Sequence, residues 1–115
     1  MSQVTIYHNP RCSKSRQTLS LLEQQGVPLT IVEYLKTPPS APELQSILDK
    51  LGYQPKALMR KKEEIYQSLG LADEDDAEVL LTAMVNNPKL IERPIVVNGD
   101  KAAIGRPPEA VLDIL

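Results

Sequence analysis

Two short β-branched runs, Val4 to Tyr7 and Leu29 to Tyr34, flank a helix-forming run from Ser13 to Gln25. Gly26 supplies a left-handed stop, and Pro28 lies just beyond it. Strand, helix and strand over about thirty residues make a βαβ unit. Its strands are expected to be parallel and joined by a right-handed crossover. The last quarter of the chain has the complementary pattern. Ile95-Val96-Val97, the turn dipeptide Asn98-Gly99 and Ala102-Ala103-Ile104 read as a β-hairpin. Pro107-Pro108 then opens a last short helix, with Val111, Leu112 and Leu115 as its packing face.

Between these halves the pattern is helical. Thr37-Pro38-Pro39 breaks the strand pattern, and Ser40 with Glu43 forms a capping box. Leu44, Ile47, Leu48 and Leu51 follow at helical spacing up to Gly52. Short helices are expected from Pro55 to Met59 and from Lys62 to Leu69. The acidic run Asp73 to Asp76 suits an N-cap and first turn, because carboxylates favour the positive end of a helix dipole. Leu80, Leu81, Met84 and Val85 give the next helix its buried face. The expected architecture is α/β: a four-stranded mixed sheet, half parallel and half antiparallel, with a helical block inserted between Thr37 and Leu90.

The chemistry concentrates at the first strand-to-helix turn, Tyr7-His8-Asn9-Pro10-Arg11-Cys12-Ser13-Lys14-Ser15-Arg16. Cys12 is the single cysteine of the chain. Alone it would read as a small buried hydrophobe, but it stands beside a helix N-terminus, where unpaired N–H groups carry about half a unit of positive charge. Arg11, Lys14, Arg16 and His8 add cationic or proton-donating groups. Each favours the thiolate, the nucleophilic form. Cys12 is therefore expected to be solvent-accessible with a depressed pKa, helped by hydrogen bonds from Ser15 or His8.

Composition narrows the alternatives. A chain of 115 residues is expected to form one domain over residues 1–115 with its own core. One cysteine excludes an internal disulfide framework and fits a reducing compartment, so a cytoplasmic location is expected. A net charge of −2 argues against a general nucleic-acid or membrane binder. The aromatics are four tyrosines, without Trp or Phe, which disfavours single-strand recognition by stacking. Three arginines are candidate anion binders, because guanidinium presents planar, permanently charged donors. Arg60 follows the short helix after Pro55. Arg93 and Arg106 each precede a proline, which biases their backbones to extended conformations.

Taken together, His8-Asn9-Pro10-Arg11-Cys12-Ser13-Lys14-Ser15-Arg16, Leu58-Met59-Arg60, Glu92-Arg93-Pro94-Ile95 and Ile104-Gly105-Arg106-Pro107 give the chain a resemblance to the glutaredoxin-coupled arsenate reductases. The chain is similar to small members of that family, and the likeness runs in order over nearly its whole length. The resemblance implies a thioredoxin-like fold with Cys12 as nucleophile. It implies Arg60, Arg93 and Arg106 as oxyanion binders, and His8 and Ser15 as side chains that help hold the thiolate. It also implies a cis peptide bond at Pro94 beside the cysteine. The implied reaction is attack of a thiolate on arsenate. Glutathione and glutaredoxin act as external reductants, since one cysteine cannot resolve the adduct. No metal or tightly bound organic cofactor is expected. Two other readings stay open. One is an Spx-type regulator that binds RNA polymerase; those use a Cys-x-x-Cys switch, and here the second position is Ser15. The other is a glutathione-dependent thiol reductase of a different substrate.

Overall fold

The computed structural model describes residues 4–115. The chain folds as two compact units: the backbone up to Thr37 joins Arg93–Leu115, and Pro38–Glu92 forms the second unit. The helical block expected between Thr37 and Leu90 is thus present, two residues longer at its end.

In the first unit, β1 (Val4–His8), β2 (Leu29–Glu33), β3 (Ile95–Asn98) and β4 (Lys101–Ile104) form one sheet in the order β2-β1-β3-β4. β1 pairs in parallel with β2 and antiparallel with β3, and β3 pairs antiparallel with β4. This is the expected mixed sheet. α1 (Ser13–Gln24) makes the crossover and ends at Gly26, whose φ is 69°. Val4, Ile6, Leu22, Val96 and Val111 make the core on one face of the sheet, with Leu19, Val27, Leu29, Ala103 and Ile114 packed against it.

The buried face of α1 runs Ser15, Thr18, Leu22, and Leu19 is half-buried. Two sequence expectations need correction here. The hairpin loop lies one residue later than Asn98-Gly99. Asn98 pairs with Lys101 and its Nδ2 donates to the Ile114 carbonyl at 2.7 Å, so it is held in the strand. Gly99, with φ 63°, takes the first loop position. The last segment, Pro108–Ile114, is a 3₁₀ helix. Three residues per turn align every third side chain. Pro108, Val111 and Ile114 therefore face inward, while Leu112 and Leu115 are exposed.

The second unit carries α2 (Ala41–Leu51), α3 (Glu64–Ser68) and α4 (Ala77–Asn86), with 3₁₀ turns at Pro55–Leu58 and Leu71–Asp73 between them and a third at Pro88–Leu90 after α4. The Ser40 side chain accepts the Glu43 N–H at 3.2 Å, and Gly52 closes α2 with φ 71°. Asp76 caps α4 by accepting the Glu78 N–H at 2.9 Å. Leu80 and Met84 are the buried residues of α4, while Leu81 and Val85 are half-buried. An isolated antiparallel bridge joins Met59 to Ile91. Among the described residues, no helix is long and apolar enough to cross a membrane.

Candidate active site

β1 ends at His8, and the chain turns over residues 9–12 before α1 begins. Two local hydrogen bonds shape that turn. The Cys12 N–H donates to the Asn9 carbonyl at 3.0 Å, and the Arg11 N–H donates to Asn9 Oδ1 at 3.0 Å. Cys12 itself takes the N-cap position of α1, with extended backbone at φ −96° and ψ 123°. An N-cap side chain faces the orphan N–H groups of the first turn. In this helix that side chain is a thiol, and the first turn contains no acidic residue to compete for those groups.

Cys12 is only 8% exposed. The expectation of a solvent-accessible residue is corrected: Cys12 is largely buried at the helix end. The expected lowering of its pKa holds. Burial pushes the Cys12 thiol up, but four other influences outweigh it: the Ser15 backbone N–H, the Arg93 charge, the Lys14 backbone N–H and a hydrogen bond from the Arg93 side chain. The result is a pKa below the ordinary thiol value. The side chains of Arg11, Lys14 and Arg16, invoked at the sequence level, are not among these causes. All three residues are exposed, and water screens them.

The two arginines beside prolines come from the far end of the chain. Arg93 is the residue that re-enters the sheet before β3, and its guanidinium nitrogens Nε and Nη1 are buried. Arg106 follows β4. Its Nε donates to the Arg93 carbonyl at 2.7 Å, and its Nη2 lies 3.7 Å from Cys12 Sγ as a hydrogen-bond donor. One guanidinium thus ties the two proline junctions together and reaches the sulfur. The Arg93–Pro94 bond is cis, as the resemblance implied, and so is Arg106–Pro107, which the sequence reading did not foresee. The strand order explains the convergence: β3 lies next to β1, and β4 next to β3, so both junctions meet the β1–α1 turn.

His8 and Ser15 form a buried pair. His8 Nδ1 and Ser15 Oγ are hydrogen-bonded at 2.6 Å, and Ser15 Oγ also accepts the Asn9 N–H at 3.0 Å. Ser15 therefore acts on the thiol through its backbone, while its hydroxyl binds His8 and the turn. Burial is the main influence on His8 and lowers its pKa; Glu33, its register neighbour on β2, raises it, and Arg16 lowers it further. The net shift is down, so the imidazole is neutral at pH 7.

Arg60 lies in the second unit. Its backbone N–H donates to the Leu90 carbonyl at 2.7 Å, and its Nη1 pairs with Glu63 at 3.4 Å. The structure thus brings Cys12, His8, Ser15, Arg93, Pro94 and Arg106 together within the first unit. Among the described residues, no group of three or more His, Cys, Asp or Glu side chains could hold a metal ion. A thiolate with two guanidiniums and helix N–H donors beside it can bind an oxyanion and attack its central atom.

Two residues of this neighbourhood gave no sequence signal. Thr18 is completely buried, and Gly105 lies against Thr18 and Pro94 so closely that an added Cβ would overlap both. A threonine on a helix and a glycine after a strand are too common to be singled out by pattern alone.

The sequence model of the ArsC family matches residues 7–114. A protein of Escherichia coli (strain K12), named uncharacterized protein YfgD, is 56% identical over 115 residues, spanning 98% of this chain and 97% of its own length. An arsenate reductase of Haemophilus influenzae is 54% identical over 114 residues, spanning 97% of this chain and 98% of its own. The solved arsenate reductase from Vibrio cholerae superposes with a TM-score of 0.95 at 52% identity, covering 99% of this chain and 98% of that one.

Proposed function

The chain belongs to the ArsC family, and from that premise we propose that it is an oxidoreductase that reduces arsenate to arsenite, with Cys12 as the nucleophile. One observation carries the reading: a thiol with a lowered pKa sits at a helix N-terminus with the guanidiniums of Arg93 and Arg106 on it. An anion approaching a thiolate meets repulsion, and these charges offset it before the reaction begins.

The Cys12 thiolate attacks arsenic(V). A sulfur–arsenic bond forms, an arsenic–oxygen bond breaks, and the departing oxygen takes up protons and leaves as water. Arg93 and Arg106 hold the arsenate oxygens and balance charge in the transition state. His8, neutral and bonded to Ser15, keeps the first turn of α1 in register so that the Ser15 N–H stays on the sulfur. Pro94 shapes the junction from which Arg93 reaches the thiol. The assignment of Arg60 as a third oxyanion binder rests on the family resemblance.

Reducing arsenic(V) to arsenic(III) takes two electrons, and two thiols supply them by becoming one disulfide. With one cysteine, the chain needs thiols from outside. Glutathione adds its sulfur to the arsenic of the adduct, displacing a second oxygen as water. A glutaredoxin thiol then attacks the glutathione sulfur, and the arsenic–sulfur electron pair stays on arsenic. A glutathione–glutaredoxin disulfide leaves arsenic(III) on Cys12, from which water releases arsenite and the free thiol. The chain works without a tightly bound cofactor, in the cytoplasm, where glutathione keeps thiols reduced.

The test is arsenate-dependent consumption of reducing equivalents with glutathione and glutaredoxin, run beside Cys12→Ser. The expected outcome is turnover by the parent and none by the variant. Equal rates in both would contradict the proposal.

A further inference from the structure

The buried face of α1 begins with two hydroxyls, Ser15 and Thr18, where an amphipathic helix usually has apolar residues. A buried hydroxyl is costly unless it is hydrogen-bonded. Ser15 is bonded by His8 and Asn9. Thr18 is fully buried, is not among the groups that shift the Cys12 pKa, and has no part in the mechanism above.

Its neighbours suggest a reason for it. Thr18 Oγ1 donates to the Lys14 carbonyl at 2.8 Å. That carbonyl belongs to the peptide unit that carries the Ser15 N–H, one of the two backbone N–H groups that lower the Cys12 pKa. On its other side, Thr18 Oγ1 and Cγ2 occupy the space that a Cβ at Gly105 would need. Gly105 in turn donates its N–H to the Pro94 carbonyl at 3.0 Å and directly precedes Arg106. A single side chain thus touches the helix turn that faces the sulfur and the junction from which Arg106 reaches it. The glycine leaves room for this contact, since any Cβ there would overlap Thr18 and Pro94.

We propose that Thr18 is a positioning residue for the Cys12 anion site: its hydroxyl fixes the Lys14–Ser15 peptide in the first turn and, seated against Gly105, sets where Arg106 stands over the sulfur. The hydroxyl's share is specific. Valine has the same shape, but it would place a methyl against the Lys14 carbonyl. Serine keeps the donor and loses the methyl.

The test reads the thiol directly and does not depend on which oxyanion is the substrate. Alkylation of Cys12 is followed against pH with neutral iodoacetamide, and the rate is compared with that of anionic iodoacetate. The pH midpoint reports the N–H donors together with Arg93, and the ratio of the two rates reports how close the guanidiniums stand. Thr18→Val is expected to raise the midpoint and to lower the iodoacetate-to-iodoacetamide ratio, with the thermal midpoint checked in parallel. Thr18→Ser is expected to keep both near the parent. Arsenate kcat/KM, which rests on the function proposed above, should fall roughly ten- to a hundredfold in Thr18→Val through misplacement of the donors. If Thr18→Val does not fold, Thr18→Ala takes its place with the same expectation. Parental midpoint and parental ratio in the folded hydroxyl-free variant would overturn the proposal. So would Thr18→Ser behaving like that variant, because the effect would then be packing alone. Altered alkylation without arsenate turnover in the parent would leave Thr18 in its role and reject the substrate.

Discussion

Cys12 gains its acidity from the helix start that the local sequence marks and from a distant arginine that it does not. The basic neighbours Arg11, Lys14 and Arg16 are conspicuous in the sequence, but their side chains project into water. The influences that lower its pKa against burial are two backbone N–H groups and Arg93, a residue distant in sequence. The direction of the shift was legible because a helix start can be read from pattern; its main charged partner was not, because that depends on the sheet. The shift has a consequence for stability. A thiol whose folded pKa is lowered contributes stability that is fully present above the unfolded value, about 8.5. The contribution is lost as pH falls through the folded value, since the unfolded state then binds more protons. The thermal midpoint of the parent, measured against that of Cys12→Ser, should therefore gain on the variant as pH rises from 5 to about 9. A difference that stays flat across this range would mean that the thiol is not shifted.

Elements with strong punctuation were legible to within a residue or two. Ser40, Gly52, Asp76 and Gly26 stand at the helix ends where capping chemistry puts them. The final segment was harder. Its apolar residues Val111, Leu112 and Leu115 suit an α-helical face, yet a 3₁₀ helix buries positions three apart, so Pro108, Val111 and Ile114 form the packed row. Helix type is decided here by packing against the sheet, which pattern alone does not contain. The two geometries predict different mutational costs. Val111→Ala removes methyls from the central core and should cost about 2 kcal/mol. Leu112→Ala lies on the exposed side and should stay within about 0.5 kcal/mol. Urea unfolding of the two variants decides it, and equal losses would contradict the 3₁₀ phase.

At the scale of the whole chain, the first unit is assembled from both ends of the sequence, with the second unit inserted between them. The βαβ and ββα halves made that division legible, because each carries its own periodicity. Sheet order and the meeting of Arg93 with Arg106 were not derivable from spacing. The hydrogen bond from Arg106 Nε to the Arg93 carbonyl joins two proline junctions that look independent in sequence. This arrangement asks two things of one side chain: Nε holds the other junction while Nη2 faces the sulfur. Lysine has a single charged nitrogen and cannot do both.

The central claim is that an arginine-framed thiolate takes an oxyanion. The most direct test is kcat/KM for arsenate in the parent, Arg106→Lys and Arg106→Ala, with glutathione and glutaredoxin saturating. Removing a preorganised donor of transition-state charge should lower kcat/KM by about a hundredfold or more in Arg106→Ala. Arg106→Lys should recover only part of that loss, and circular dichroism should show the fold intact in both. Arsenate turnover in Arg106→Ala equal to that of the parent would contradict the account.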